Sequence, residues 1–332
     1  MPAIVRRLAM IPALLVFVVT ITFALVQIAP GDAADVLIAP GARADEIARL
    51  RATLQLDRPP AAQYAAYVGR LLTGDLGYSV SRGQPVRDVL RDALPATLLL
   101  GGISLACTFV IGITIGAWQA ARRGRALDAG VTVVGTIVGA MPAYWLALLL
   151  VVLFTSGAAA WGWPPALRLP AFGARDAALA ALGIDSVADR LRHLVLPVAV
   201  LSLIGAAGIM RYARGTLVRV LDDEAMRTAR AKGASRSRVL WRHALRSASA
   251  PLIVLLALAL PGVVSGSVFV EQIFAYPGMG RTMLLAITSR DIPLVMGCTV
   301  LFAAVVAVSN LSADLVLAAL DPRQRDRAAA RP

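Results

Sequence analysis

The length of its uncharged apolar runs limits what this chain can fold into more than any other feature. A helix rises about 1.5 Å per residue, so about 20 apolar residues cross a hydrocarbon layer roughly 30 Å thick. Runs near that length or longer recur at Leu8–Ala29, Leu94–Trp118, Ala129–Thr155, His193–Tyr212, Pro251–Val270 and Pro293–Ala319. The stretches between them are polar or rich in Pro and Gly, and the apolar stretch Ala177–Ile184 is too short to cross. Composition agrees, with 58% of the 332 residues hydrophobic and 16% charged, against about a quarter charged in soluble domains. The expected fold class is all-α, a polytopic membrane protein with about six transmembrane helices.

Arg6 and Arg7 precede the first run, as basic residues precede the core of a secretory signal. A signal core is usually about 7–15 residues. This run is longer and ends in Pro30-Gly31-Asp32 instead of a small-residue cleavage site, so a retained helix is expected. The organisation that follows is an N-terminal transmembrane helix over 1–29 and an outer segment over 30–93. A five-helix region over 94–320, with a long inner loop at 213–250, and a tail over 321–332 complete it.

The net charge of +13 is placed unevenly. With the amino terminus inside, residues 211–250 carry ten basic against three acidic residues, and 119–128 carry three against one. The outer segment 30–93 is balanced, with eight of each sign. Excess Lys and Arg on one side is the positive-inside pattern, which puts both termini in the cytoplasm. Orientation in the bilayer thus accounts for the charge, and no nucleic-acid partner is expected.

The spans are nearly free of ionisable side chains. Asp314 lies near the inner end of the last, Glu271 just past the outer end of the fifth, and Arg211 and Arg214 at the inner end of the fourth, where they can snorkel. A proton- or ion-coupled carrier usually needs titratable groups at midplane, so their absence counts against one. A phosphate loop is absent too: the one lysine, Lys232, is followed by Gly233-Ala234. Energy from ATP must therefore come from another chain. Cys107 and Cys298 each sit in an apolar run and read as small hydrophobes, not as metal ligands. His193 and His243 are each isolated and read as polar or capping contacts; no catalytic or metal site is assigned. Asp75, between glycines, reads as a turn residue satisfying its own backbone. Glycines four apart, at Gly112/Gly116, Gly135/Gly139 and Gly262/Gly266, suit close helix packing. Pro12, Pro142 and Pro197 are candidate kinks.

The longest inner loop reads as two short helices around a turn. Asp222 or Asp223 can cap the first helix, with Glu224 in its opening turn and Arg230 and Lys232 near its end. Gly233 stands where a left-handed residue ends a helix, and Ser235 can cap the second. Val239, Leu240, His243 and Ala244 then share a face. Local physics leaves three readings open: a solvated basic loop, an interfacial helix on anionic lipid, or a docking element for a cytoplasmic protein.

Residues Arg227-Thr-Ala-Arg-Ala-Lys-Gly233 followed by Arg238-Val-Leu-Trp-Arg-His-Ala-Leu-Arg246 resemble the cytoplasmic "EAA" loop of ABC importer permeases, in the dipeptide/oligopeptide/nickel branch. Ala225-Met226 and Ser247-Ala-Ser-Ala-Pro251 depart from that pattern. The resemblance extends over nearly the whole chain, through Pro30-Gly31-Asp32, Leu54-Gln-Leu-Asp57-Arg-Pro59 and Gly74-Asp-Leu-Gly77-Tyr-Ser79. It continues at Leu94-Pro-Ala-Thr97, Pro142-Ala-Tyr-Trp145, Arg192-His193, Tyr276-Pro-Gly-Met-Gly280, Arg290-Asp291 and Leu320-Asp-Pro-Arg323. The chain is most similar to the first, B-type, of the two permeases of such systems.

The resemblance implies a type I importer fold over 94–320, a second homologous permease, two ABC ATPase subunits carrying ATP-Mg, and an extracytoplasmic solute-binding protein. It implies no cofactor and no enzymatic site in this chain. It gives Asp223, Glu224, Arg227, Thr228, Ala229, Arg230, Lys232, Gly233, Arg242, His243 and Arg246 a role in coupling to the ATPase. The cargo and the pore-lining residues stay open. The rival from another class is a self-powered carrier or channel, which would tolerate changes in 227–246. A membrane protease would need a base beside Ser265 or Ser267, and no histidine lies in a later span.

Overall fold

The structure, a computed structural model, describes residues 2–28, 49, 52, 57–184, 186–265 and 268–320. Pro30-Gly31-Asp32, Leu54-Gln-Leu56, Gly266, Ser267 and the tail 321–332 lie outside the described residues. In chain order come α1 (Pro2–Ile28), α2 (Pro60–Leu72), a hairpin of β1 (Tyr78–Ser79) and β2 (Gln84–Pro85), and α3 (Val86–Ala121). Then follow α4 (Ala126–Ala140), α5 (Ala143–Val152), α6 (Val187–Asp222), α7 (Glu224–Ala231), α8 (Arg236–Arg238) and α9 (Ser249–Ala259). The last elements are α10 (Gly262–Ser265), α11 (Val268–Ile273), α12 (Met279–Thr288) and α13 (Ile292–Leu320). The apolar stretch after 176 forms only a short helix, Ala177–Ala181.

Among the described residues five helices are long and apolar enough to cross a membrane: Ala9–Ile28, Val86–Ala121, Ala143–Ala160, Val187–Asp222 and Ile292–Leu317. Two expected spans are built differently. Ala129–Thr155 is broken after Ala140, because Met141 precedes a proline and is pushed to extended backbone, φ −69° and ψ 134°. The second half restarts with Pro142 at its N-cap and continues through a widened turn at Leu153–Gly157. Pro251–Val270 is not one continuous helix: α9 ends at Ala259 and α10 begins at Gly262, interrupted where Pro261 offers no backbone N–H. Pro12, Pro95 and Pro197, by contrast, lie inside continuous helices. Helices α3 and α6, at 36 residues each, overrun the expected spans at both ends.

The chain divides into two compact groups, residues Met1–Thr97 with Pro277–Val308, and Leu98–Tyr276 with Ser309–Pro332. In the first, α1 meets α2 through Thr20 and Tyr64, whose hydroxyls are 2.6 Å apart, and through the Phe23 ring set edge-on to Tyr64. Val86, Leu90 and Ala93 of α3 pack with Met279 and Ala286 of α12 and with Leu294 and Cys298 of α13. Asp291, 1% exposed, fastens the hairpin. It accepts from Ser79 Oγ at 2.6 Å, Ser81 Oγ at 2.7 Å, and the backbone N–H groups of Ser81 and Leu294.

In the second group small residues bring helices into near-backbone contact. A Cβ on Gly112 would stand 2.6 Å from Ile209 Cβ, and one on Gly116 would stand 2.6 Å from the Met210 carbonyl oxygen. From α4, the same atom on Gly139 would be 2.8 Å from Ala207 Cβ. Helix α6 is thus gripped by α3 and α4 through two of the expected glycine pairs. Gly262 is different, since a Cβ there meets nothing within 4 Å.

Candidate functional site

Helix α6 ends at Asp222, where Asp223 turns the chain with φ −65° and ψ 151°. That conformation makes Asp223 the N-cap of α7, but its side chain makes no capping hydrogen bond. Asp222, the other expected cap, instead receives two hydrogen bonds from the Arg123 guanidinium, at 2.5 and 2.8 Å. That pairing holds the Asp222 carboxyl below the usual carboxylate range. Glu224 takes the first turn of α7, where its charge complements the helix dipole.

The end of α7 is a Schellman turn. The Gly233 N–H donates to the Arg230 carbonyl at 2.9 Å, and the Ala234 N–H to the Ala229 carbonyl at 3.1 Å. Gly233 sits at φ +82°, and a Cβ there would meet nothing within 4 Å. The position therefore demands glycine for its backbone conformation alone. Arg230 bends back to donate to the carbonyls of Met226, at 3.1 Å, and Leu221, at 2.6 Å, fastening α7 to the end of α6. Ser235 Oγ then caps α8 by accepting from the Arg238 N–H. From Val239 to Ala244 the helix widens to a π-type turn before it runs on to Ser247.

Burial divides this loop into an anchored face and a free one. Met226, Val239, Leu240, Ala244 and Ala248 pack with Ala117 and Ala120 of α3, Ala213 and Leu217 of α6, and Leu252 of α9. Met226, 4% exposed, is the one buried side chain of α7. Asp223, Glu224, Arg227, Thr228, Arg230, Lys232 and Gly233 are exposed, with Ala229 half-buried. Arg242 and Arg246 are exposed and His243 half-buried on the following run. The element is thus a short helix and a tight turn, held from below and bare above.

Sequence reasoning missed the polar lock beneath it. Arg214 does not snorkel: it makes a bidentate pair with Asp128, Nε to Oδ1 at 2.7 Å and a terminal nitrogen to Oδ2 at 2.6 Å. Asp128 is 3% exposed and also accepts from the Gly124 N–H and from the fully buried Gln119. The Arg214 hydrogen bonds, ahead of those from Gly124 and Gln119, hold the Asp128 carboxyl below the usual carboxylate range. A polar Gln119 just past the apolar run Leu94–Trp118, three residues before the first of three arginines, was the available signal. Elsewhere, His193 Nδ1 lies 2.9 Å from the Asp189 carbonyl one turn earlier, and Asp75 accepts from the Gly77 N–H at 2.8 Å within its own turn. No group of three or more potential metal ligands occurs among the described residues.

A set of long apolar helices, one of them followed by a pinned helix-and-turn rich in basic residues, defines a polytopic membrane protein. Residues 112–326 match the family described as binding-protein-dependent transport system inner membrane component, and residues 1–101 match that family's N-terminal region. The chain belongs to this family. It is 34% identical to the oligopeptide transport system permease protein AppB of Bacillus subtilis, over 96% of this chain and 98% of that one. It is 39% identical to the oligopeptide transport system permease protein OppB of Mycobacterium bovis, over 82% of each. A structure of the inward-facing MetNI methionine ABC transporter superposes with a TM-score of 0.51 over 70% of this chain and 96% of that one, at 18% identity. The fold is therefore that of a type I ABC importer permease, and the protein is a multi-pass inner membrane transport subunit.

Proposed function

We propose that this chain is one of two unlike permeases of a peptide importer, with both termini in the cytoplasm. Of two ATPase subunits, which carry ATP-Mg, one docks on residues 222–246 of this chain, and an extracytoplasmic solute-binding protein delivers the cargo. The names of the relatives support peptides as the cargo class. The charge distribution supports the orientation.

One observation carries the coupling role: α7 and the Gly233 turn stand bare while Met226, Val239 and Leu240 tie them to three helices at once. A partner that grips the exposed side chains pushes on an element that cannot slide independently of α3, α6 and α9. Displacement is thus passed to the pore helices by packing, without any chemistry in this chain. Asp223, Glu224, Arg227, Thr228, Arg230, Lys232, Arg242 and Arg246 offer the contacts, and Gly233 shapes the turn.

The test is peptide uptake by cells expressing the complete transporter, with recovery of the ATPases on the purified permease measured in parallel. Gly233→Val should abolish uptake and lose the ATPases while the chain still inserts, because a β-branched residue resists φ > 0. Gly233→Asn should keep much of both, because asparagine visits that region readily. Normal uptake and ATPase recovery with valine would refute docking at this turn.

A further inference from the structure

A cleft of about 660 Å³ opens between the end of α3 with its following loop, the end of α6, and the α8 run. Arg122, Arg123, Arg125, Arg230 and Arg236 line it against a single carboxylate, Asp222. That carboxylate is already engaged by Arg123, and Arg230 is turned to backbone carbonyls. Arg125 and Arg236 are exposed and have no acidic partner among the described residues. Arg122 lies 4.6 Å above the ring of Trp118, and Trp241 stands at the other wall, 43% exposed.

We infer that this cleft binds the phosphate headgroup of an anionic phospholipid of the inner leaflet. Several guanidinium groups around one concavity repel one another until an anion enters, and their planar donors match phosphate oxygens bidentately. Lipid, and not soluble phosphate, is the occupant because Trp118 closes the apolar run of α3, where indole rings mark the membrane–water boundary, and the exposed Trp241 ring offers a second indole on the opposite wall. Basic pockets between spans on the cytoplasmic side are suited to such headgroups. The assignment rests on the orientation proposed above. A headgroup held here touches the α3–α4 connection and the start of α8 together, so it braces the base of the coupling element.

The full chain in detergent, titrated with phosphatidylglycerol or phosphatidylcholine and read by native mass spectrometry, tests this. The wild type should retain phosphatidylglycerol preferentially, and less so as salt is raised. Arg122→Gln, Arg125→Gln and Arg236→Gln combined should weaken that retention on the order of a hundredfold, at roughly fivefold per arginine. These side chains hold no internal ion pair among the described residues, and an unchanged melting temperature would establish that the variant folds. If it does not fold, the single changes at the exposed Arg125 and Arg236 carry the same test at roughly fivefold each. Equal retention of the two lipids, or undiminished retention by the variants, would overturn the inference. Displacement of the lipid by millimolar inorganic phosphate would make this a soluble-anion site, and displacement by the ATPases would make it a protein interface; either result removes the lipid assignment. Loss of ATPase recovery from the wild type would count against the docking reading alone, since lipid retention is read on the isolated chain.

Discussion

Asp128 illustrates how a charge is kept inside an apolar bundle. Four donors converge on it, from Arg214 twice, Gly124 and Gln119, so its lone pairs are satisfied where water is scarce. Removing Arg214 leaves a buried carboxylate facing two neutral donors. We expect Arg214→Ala to destabilise the chain by about 1–3 kcal/mol, visible as a lower melting temperature in detergent. Arg214→Lys should fall between, keeping the charge and losing the fork. The pH dependence has a definite sign. The folded carboxyl titrates below its unfolded value, so its stabilisation is complete above the ordinary aspartate range, near pH 4, and is lost as pH falls through the lowered folded value. The gap between wild type and Arg214→Ala should therefore hold steady from about pH 8 to 5 and narrow on further acidification. A gap unchanged in strong acid would mean that packing, not charge, is what Arg214 supplies. Little of this was legible beforehand, because Asp128 and Arg214 are 86 residues apart and pairing across helices leaves no local trace.

Helix packing was legible in part. Glycines four apart point to close approach but do not say which faces touch. Gly112, Gly116 and Gly139 do face α6, whereas Gly262, with the same spacing, faces open space. Proline was equally ambiguous. Pro142 ends a helix and Pro197 does not, although both sit in apolar runs, because the backbone around a proline is decided by its neighbours in space. The local signals of the coupling loop were clearer, since Gly233 and Ser235 act through their own backbone and the next turn. A matched pair within α3 tests the packing account. Gly112→Ala should lower thermal stability by about 1–3 kcal/mol, because the added carbon must displace the Ile209 backbone or branch. Gly102→Ala, with nothing within 4 Å, should leave stability unchanged or raise it by up to about 1 kcal/mol through helix propensity. Equal effects at the two sites would show that the α3–α6 approach is looser than the glycines require.

For the chain as a whole, run length gave the membrane class, and charge placement supplied the one long-range statement available without contacts. Seven of the ten basic residues in 211–250 follow the end of α6 at Asp222, and the Asp128–Arg214 and Arg123–Asp222 pairs join this stretch to the 119–128 loop, so the two lie on the same face of the bilayer. Moving this much charge across hydrocarbon during insertion is unfavourable, which supports the proposed cytoplasmic placement of this face. The prediction is directional. In chains with Cys107 and Cys298 replaced by serine and alanine, a cysteine introduced at the exposed Thr228 should react with a membrane-impermeant thiol reagent only in inverted vesicles. A cysteine at the exposed Asp75, whose turn lies in the charge-balanced segment after α2, should react only in intact spheroplasts. The opposite pattern would turn the coupling loop away from the ATP pool, and both the docking and the lipid assignments would then fail together. Labelling of both sites from the same side would instead require an even number of crossings between residues 75 and 228, which the span count between α3 and α6 can accommodate only if the α4–α5 pair does not complete a crossing.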